Sequence, residues 1–363
     1  MALADTRFSN RRRALAARCA AQRVDMMLVT DVTNVYYLTG LASSNAALLV
    51  GKDLSATLAT DGRYATAAVQ EAPDVELLIR RDVGPALLEN VDGAYRVGFE
   101  AESVNYVQLQ ELARSAGDSV KLIPLSGEVE KLRAKKDFLE LEALREVAGI
   151  GNRAWERLLE SGVLAAGNTE KRVAAELEYF MRLEGSERTS FDTIVASGSN
   201  SAKPHHSAGE RVLESGDLVT IDFGAHYRGY NSDMTRTVAI GEPSEQLQEI
   251  YRVVQEAHAA GIAASVAGQK AVDVDAASRS IIDAAGYGEY FTHSTGHGVG
   301  LEVHEAPSAN TRSEEILAEG HTLTIEPGIY LPGVGGVRIE DTLVITAGRP
   351  EIITHGSTEL QVL

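Results

Sequence analysis

The chain of 363 residues contains one cysteine, Cys19, so no disulfide can close within it. A single thiol suits a reducing compartment. Basic residues are also in short supply, with 34 Lys and Arg against 52 Asp and Glu and a formal net charge of −18. A nucleic-acid partner would favour a basic face, so this balance argues against one. It favours solubility and selects no particular fold. No apolar run approaches the ~18 residues that a membrane-spanning helix needs. The triplet Arg11-Arg12-Arg13 precedes a short apolar stretch that Arg18 interrupts, a poor match to a targeting peptide. It reads instead as an amphipathic helix capped near Ser9 or Asn10. The expected setting is cytoplasmic, with neither nucleic acid nor membrane as partner.

The length allows a substantial core and about two domains. In the first part, apolar runs at 26–30, 47–50, 55–60, 75–79 and 95–100 read as strands, with helical stretches such as 64–71 and 104–116 between them. This pattern predicts a small α/β domain over residues 1–130. Pro124 and Gly127 punctuate its end, and Asp137 is a candidate N-cap for a helix running to about Ser161. Residues 131–363 then form a second domain. Within it, Gly167 and Gly185 recur 101 residues later as Gly268 and Gly286, each pair marking the ends of successive helices. The spacing predicts a duplicated α–α–β unit with a pseudo-twofold relation.

The chemistry concentrates in the last 145 residues, where Asp222, Asp233, His297, Glu326 and Glu340 sit in strand-like or glycine-rich surroundings. A bare carboxylate is costly to bury unless a cation or donors accompany it. Folding DLVTIDFGAHYRGYNSDMTRT at Arg228-Gly229 brings Asp222 and Asp233 within diagonal reach on neighbouring strands. Folding TLTIEPGIYLPGVGGVRIEDT at Pro332-Gly333 sets Glu326 opposite Glu340. His297 lies among glycines, where backbone can approach a site closely. Four carboxylates and an imidazole without thiolate make a hard donor set that balances two divalent metal ions. Mn²⁺ suits it best, with Co²⁺, Zn²⁺ or Fe²⁺ competing by availability. Two such ions imply hydrolysis.

These motifs, with NVYYLTG (34–40) and DGRY (61–64), resemble those of the pita-bread metallopeptidases (peptidase family M24), which include methionine aminopeptidase, aminopeptidase P and prolidase. The resemblance implies an α/β (α+β) fold: a C-terminal pita-bread domain with the pseudo-twofold duplication, plus a smaller creatinase/prolidase-like N-terminal α/β domain. It also implies roles. Asp222 would chelate one metal and His297 the other, with Asp233 and Glu340 bridging. Glu326 would bind metal and move protons. His205, seventeen residues before Asp222, matches the family's substrate-side histidine, leaving His206 as its non-matching neighbour. His304 would steady the oxyanion, His293 matches a further histidine of aminopeptidase P, and Arg338 would hold acidic ligands in place. Tyr230 and Tyr330 read equally as site lining or as packing. The N-terminal domain implies an Xaa-Pro peptidase acting on small peptides with proline second, and a homodimer.

The subtype turns on one departure. In some compact prolidases an arginine follows HExP, whereas HEAPSAN places Ser308 there. Arg312 is the candidate replacement for holding a C-terminal carboxylate, or else an exposed loop cation. The reading therefore leans to aminopeptidase P-like activity, with Xaa-Pro dipeptidase (prolidase) as the alternative. A non-catalytic or creatinase-like relative would lack metal ligands that this chain retains.

Overall fold

The computed structural model describes residues 6–93 and 95–363. The chain divides into two compact units, Met1–Arg133 and Ala134–Leu363.

The first unit is built on a six-stranded mixed sheet. Its order is Glu76–Ile79, Ala56–Thr60, Ala46–Gly51, Met26–Val29, Tyr95–Glu100, Val120–Leu125. The five expected strands are present. The sixth, Val120–Leu125, was hidden by Pro124, which normally counts against a strand. At a sheet edge the missing N–H costs no ladder bond, and Pro124 sits opposite Phe99 in register. The helix Val32–Thr39 begins at Asp31, whose side chain accepts from the N–H groups of Thr33 and Asn34. The basic triplet belongs to the helix Arg7–Ala21, whose N-cap is Thr6 rather than Ser9 or Asn10. Arg11 stacks on the Tyr37 ring and donates to its carbonyl, and Arg12 donates to Leu38 O while pairing with Asp74. These arginines thus tie the helix to Val32–Thr39.

The second unit opens with the helix Phe138–Glu160. Asp137 caps it as expected, within a capping box completed by Glu140. Leu139 is exposed and Glu140 is buried, the reverse of what polarity alone suggests. Glu140 is inside because its carboxylate accepts from Asp137 N and the Tyr230 hydroxyl. Among the described residues, no helix is long and apolar enough to cross a membrane.

The duplication is visible bond by bond. Gly167 N donates to Leu213 O, and Gly268 N donates to Leu317 O; Leu213 N returns to Asn168 O, and Leu317 N to Gln269 O. Both halves continue as helix Glu170–Leu183 and helix Ala271–Ala284. Antiparallel strands follow: Ile194–Ser197, Leu218–Phe223 and Met234–Ala239 in one half, with Thr322–Ile325 paired to Asp341–Val344 in the other. All four turn glycines adopt positive φ, where a side chain would be strained. A core of Leu218, Ile250, Val254, Ile282, Ile329 and Val337 lies beneath these strands.

Candidate metal centre and active site

Each acid pair is positioned by a hairpin. In the first, Asp222 is in register with Thr235, which places Asp233 two positions along on the same face. The connection closes at Arg228 and Gly229, with φ of 50° and 84°. In the second, Ile325 pairs with Asp341 and Gly328 with Arg338, so the register between them sets Glu326 opposite Glu340. Its tip is Pro332–Val334, with Gly333 at φ 78°.

His297 lies on the short strand Gly296–Gly298. Its flanking glycines are required by close approach. A Cβ on Gly296 would lie 1.7 Å from Thr324 O, and one on Gly298 would lie 2.3 Å from Ala306 O. His297 Nδ1 donates to Gly298 O at 3.1 Å, which turns Nε2 toward the acids. Nε2 is 3.2 Å from Glu326 Oε1 and 3.8 Å from Asp233 Oδ2. Asp233, His297 and Glu340 offer ligand atoms within 4.8 Å of one another.

The electrostatics are those of acids crowded out of water. Burial pushes Asp233 well above the usual carboxylate range, and the charges of Glu340, Asp222 and Glu326 add to this. Burial likewise raises Glu340 and Asp222, with Arg338 opposing both. Burial would raise Glu326 too, but the hydrogen bond and charge of His297 bring it down to about 2. Burial lowers His297, but Glu326 outweighs it and the net shift is upward. Asp222 Oδ1 is buried with no hydrogen-bond partner among the described residues.

Arg338 organises one wall. Its Nη2 donates to Asp222 Oδ2 at 2.8 Å, Nε to Thr235 Oγ1, and Nη1 to Tyr330 Oη and Pro204 O. Thr235 Oγ1 in turn donates to Glu340 Oε2 at 2.7 Å. His293 Nδ1 faces Ser294 O, so its Nε2 accepts from the Tyr330 hydroxyl at 2.8 Å. Burial lowers His293, consistent with a neutral ring. From outside, Asp275 accepts from Thr295 N and Oγ1, Arg279 clamps Asp275, and Arg279 Nη2 donates to His293 O. Tyr330 therefore belongs to the polar wall, which sequence left open, whereas Tyr230 serves Glu140. Asp275 and Arg279 went unnoticed because an i,i+4 ion pair on a helix ordinarily signals only surface.

These groups open onto a cavity of about 380 Å³. His205, His293, His297, His304, Glu326 and Arg338 line it, with Asp222 and Asp233. Phe191, Ile194 and Val303 supply apolar wall. The His304 ring lies 4.4 Å from that of His297, and burial, followed by the charge of His297, lowers its pKa. Glu340 stands behind the lining, in contact with Thr235. Arg312 is not part of the lining; it is exposed, with its backbone N–H on Asn310 Oδ1. His206 Nε2 donates to Glu170 Oε2 at 2.8 Å.

Comparison with known proteins adds identity to this geometry. Residues 142–347 match Metallopeptidase family M24, and residues 11–135 match the Creatinase/Prolidase N-terminal domain. A solved Xaa-Pro dipeptidase from Bacillus anthracis superposes with TM-score 0.94 at 40% identity, covering 98% of this chain and 100% of that one. An Xaa-Pro dipeptidase from Pyrococcus horikoshii is 38% identical over 338 residues, 93% of this chain and 94% of its own. An X-Pro aminopeptidase from Thermotoga maritima has TM-score 0.87 at 36% identity, covering 98% and 99%. The balance of these names favours the dipeptidase alternative over the aminopeptidase P lean that Ser308 had prompted.

Proposed function

This chain belongs to metallopeptidase family M24, and from that membership we propose that it is an Xaa-Pro dipeptidase whose catalytic unit binds two divalent ions, Mn²⁺ foremost. The observation that carries the reading is the convergence of Asp233, His297 and Glu340 within 4.8 Å, beside Asp222 and Glu326. The residues fit a metal. Asp222 Oδ1 is buried without a hydrogen-bond partner among the described residues, the acids repel one another, and His297 Nδ1 is engaged by Gly298 O so that Nε2 is the nitrogen turned toward them. Asp222, Asp233, Glu340, Glu326 and His297 would hold the ions. When bound, the metal supplies Lewis acidity that activates water and polarises a carbonyl.

The rest of the chemistry falls to side chains. The bond before proline is a tertiary amide without N–H, so the site cannot recognise it through that donor. Phe191, Ile194 and Val303 give the cavity an apolar wall for the substrate's side chains. Glu326 takes a proton from water and passes it to the departing proline nitrogen. His304 and His205, at the rim, donate to the scissile carbonyl as charge builds on its oxygen. Arg338 and Thr235 hold Asp222 and Glu340 in place.

A second reading, aminopeptidase P-like cleavage of longer peptides, has one observation in its favour. Arg338 is the one Arg or Lys among the described lining residues, and its nitrogens already serve Asp222, Thr235, Tyr330 and Pro204. A C-terminal carboxylate would have to rely on His205, His304 or Arg312. Initial rates with Mn²⁺ on Ala-Pro and Ala-Pro-Ala decide. Preference for the dipeptide is expected; cleavage mainly of the tripeptide would replace the dipeptidase reading with the second, and inactivity on both in metal-loaded protein would end both. We also propose a cytoplasmic homodimer, testable by sedimentation.

A further inference from the structure

Glu170 is the first residue of the helix Glu170–Leu183, where an acid is ordinary because it faces the positive end of the helix dipole. Its surroundings are not ordinary. The side chain is fully buried, and both oxygens are committed to the segment 197–209. Oε1 accepts from Ser197 N at 2.8 Å, Ser197 Oγ at 2.8 Å and Asn200 Nδ2 at 3.0 Å. Oε2 is 2.8 Å from His206 Nε2 and accepts from Gly209 N at 3.2 Å. One carboxylate thus holds both ends of a segment that has His205 on the cavity rim.

The neighbours of His205 are held from two sides. Pro204 O accepts from Arg338 Nη1 at 3.3 Å, and the His206 ring is held by Glu170. His205 itself is exposed, between two neighbours that are each held by a hydrogen bond.

We propose that Glu170 is a positioning residue for the peptidase reaction, acting through His206 and the segment 197–209 to place His205 against substrate. The inference rests on the assignment of His205 to the substrate side in the reading above. A carboxylate is needed because every group around it is a donor. Glutamine would turn one oxygen into an NH₂ group, facing donors whichever way it flips. A displacement near 1 Å at such a group can cost on the order of a hundredfold in rate.

The test is a double-mutant cycle with a structural readout. E170Q is expected to lower kcat/KM about ten- to a hundredfold with metal content unchanged, and to speed amide exchange in 198–209 relative to the helix Phe138–Glu160. On an H205A background the same substitution is expected to cost almost nothing further. H206Q, which keeps a donor, is expected to retain more activity than H206F, and these two milder variants carry the test if E170Q fails to fold. An E170Q penalty that persists in full without His205, an unchanged exchange pattern, or equal effects of H206Q and H206F overturns the proposal. If the wild type cleaves neither peptide, the function fails separately, and the exchange data still decide whether Glu170 orders the segment.

Discussion

Arg338 and Asp222 meet through Nη2 and Oδ2 at 2.8 Å, with both side chains largely buried. This places a fixed positive charge against an acid that is also a candidate ligand, whose Oδ1 has no hydrogen-bond partner among the described residues. The pair therefore leaves one oxygen for a cation while holding the other still. Breaking a buried pair from one side costs about 3–5 kcal/mol, because the remaining charge is uncompensated. Arg338→Ala is expected to lose stability in that range and to weaken metal binding measurably by calorimetry. Arg338→Lys keeps the charge but cannot reach four acceptors at once, and is expected to fall between. Equal metal affinity in all three proteins would mean that Arg338 does not organise the ligands.

The backbone around His297 makes a sharper prediction. Alanine at Gly296 would put a methyl carbon 1.7 Å from a backbone oxygen, so either the strand or Thr324 must move. Gly296→Ala is expected to displace His297, lower the metal bound per chain and destabilise the protein by about 3 kcal/mol or more. Gly348 has open space around it and serves as control, with Gly348→Ala expected near neutral. A Gly296→Ala protein with full metal content and wild-type rate would contradict the geometry.

Much of this site was legible in the sequence, for a definite reason. Strand period and turn chemistry act locally, so Arg228-Gly229 and Pro332-Gly333 fix two registers and the registers fix where four acids point. The repeat of Gly167 and Gly185 as Gly268 and Gly286 was likewise a local signal. What escaped was either ambiguous or distant. Pro124 disguised an edge strand. Thr6 took the N-cap expected at Ser9 or Asn10. Glu170 bonds to residues 27 to 39 positions away, and Asp275 reaches Thr295 twenty positions away, contacts that no local pattern marks. Tyr330, open between lining and packing in the sequence, is placed by His293, 37 positions away.

Removal of metal should be visible without any assay of activity. Trp155, the single tryptophan, is buried in the catalytic unit and stacks on Phe223 at 5.8 Å. Phe223 follows Asp222 on the same strand. Chelation leaves the acids crowded and uncompensated, so the transition followed by Trp155 fluorescence should fall in temperature. A ligand at a hundred times its dissociation constant stabilises by about 2.7 kcal/mol, and re-addition of Mn²⁺ should restore at least that much. About two ions per chain are expected at saturation, from the two-metal logic of four carboxylates. An unchanged transition after complete chelation would show that the acids tolerate one another without metal.

The same probe tests a pH effect away from the metal. Burial, then the charges of Lys136 and Lys135, lower the His321 imidazole to about 4. Its Nδ1 accepts from Ala318 N at 3.3 Å, a bond that requires that nitrogen unprotonated. The unfolded chain takes up this proton near pH 6.5, whereas the folded protein resists it until about 4. Between those values the unfolded state binds more protons, so stability from His321 rises with pH. It is fully present above pH 6.5 and is lost as pH falls toward 4. The ring is partly exposed, and solvent screening reduces the effect to on the order of 1–2 kcal/mol. Asparagine keeps an acceptor near Nδ1 and does not titrate. Urea unfolding followed by Trp155 should therefore show His321→Asn losing less stability than wild type over this window, with parallel curves above pH 7. Parallel curves throughout would mean that His321 takes up its proton equally in the folded and unfolded protein, and the acid sensitivity would then lie with other groups.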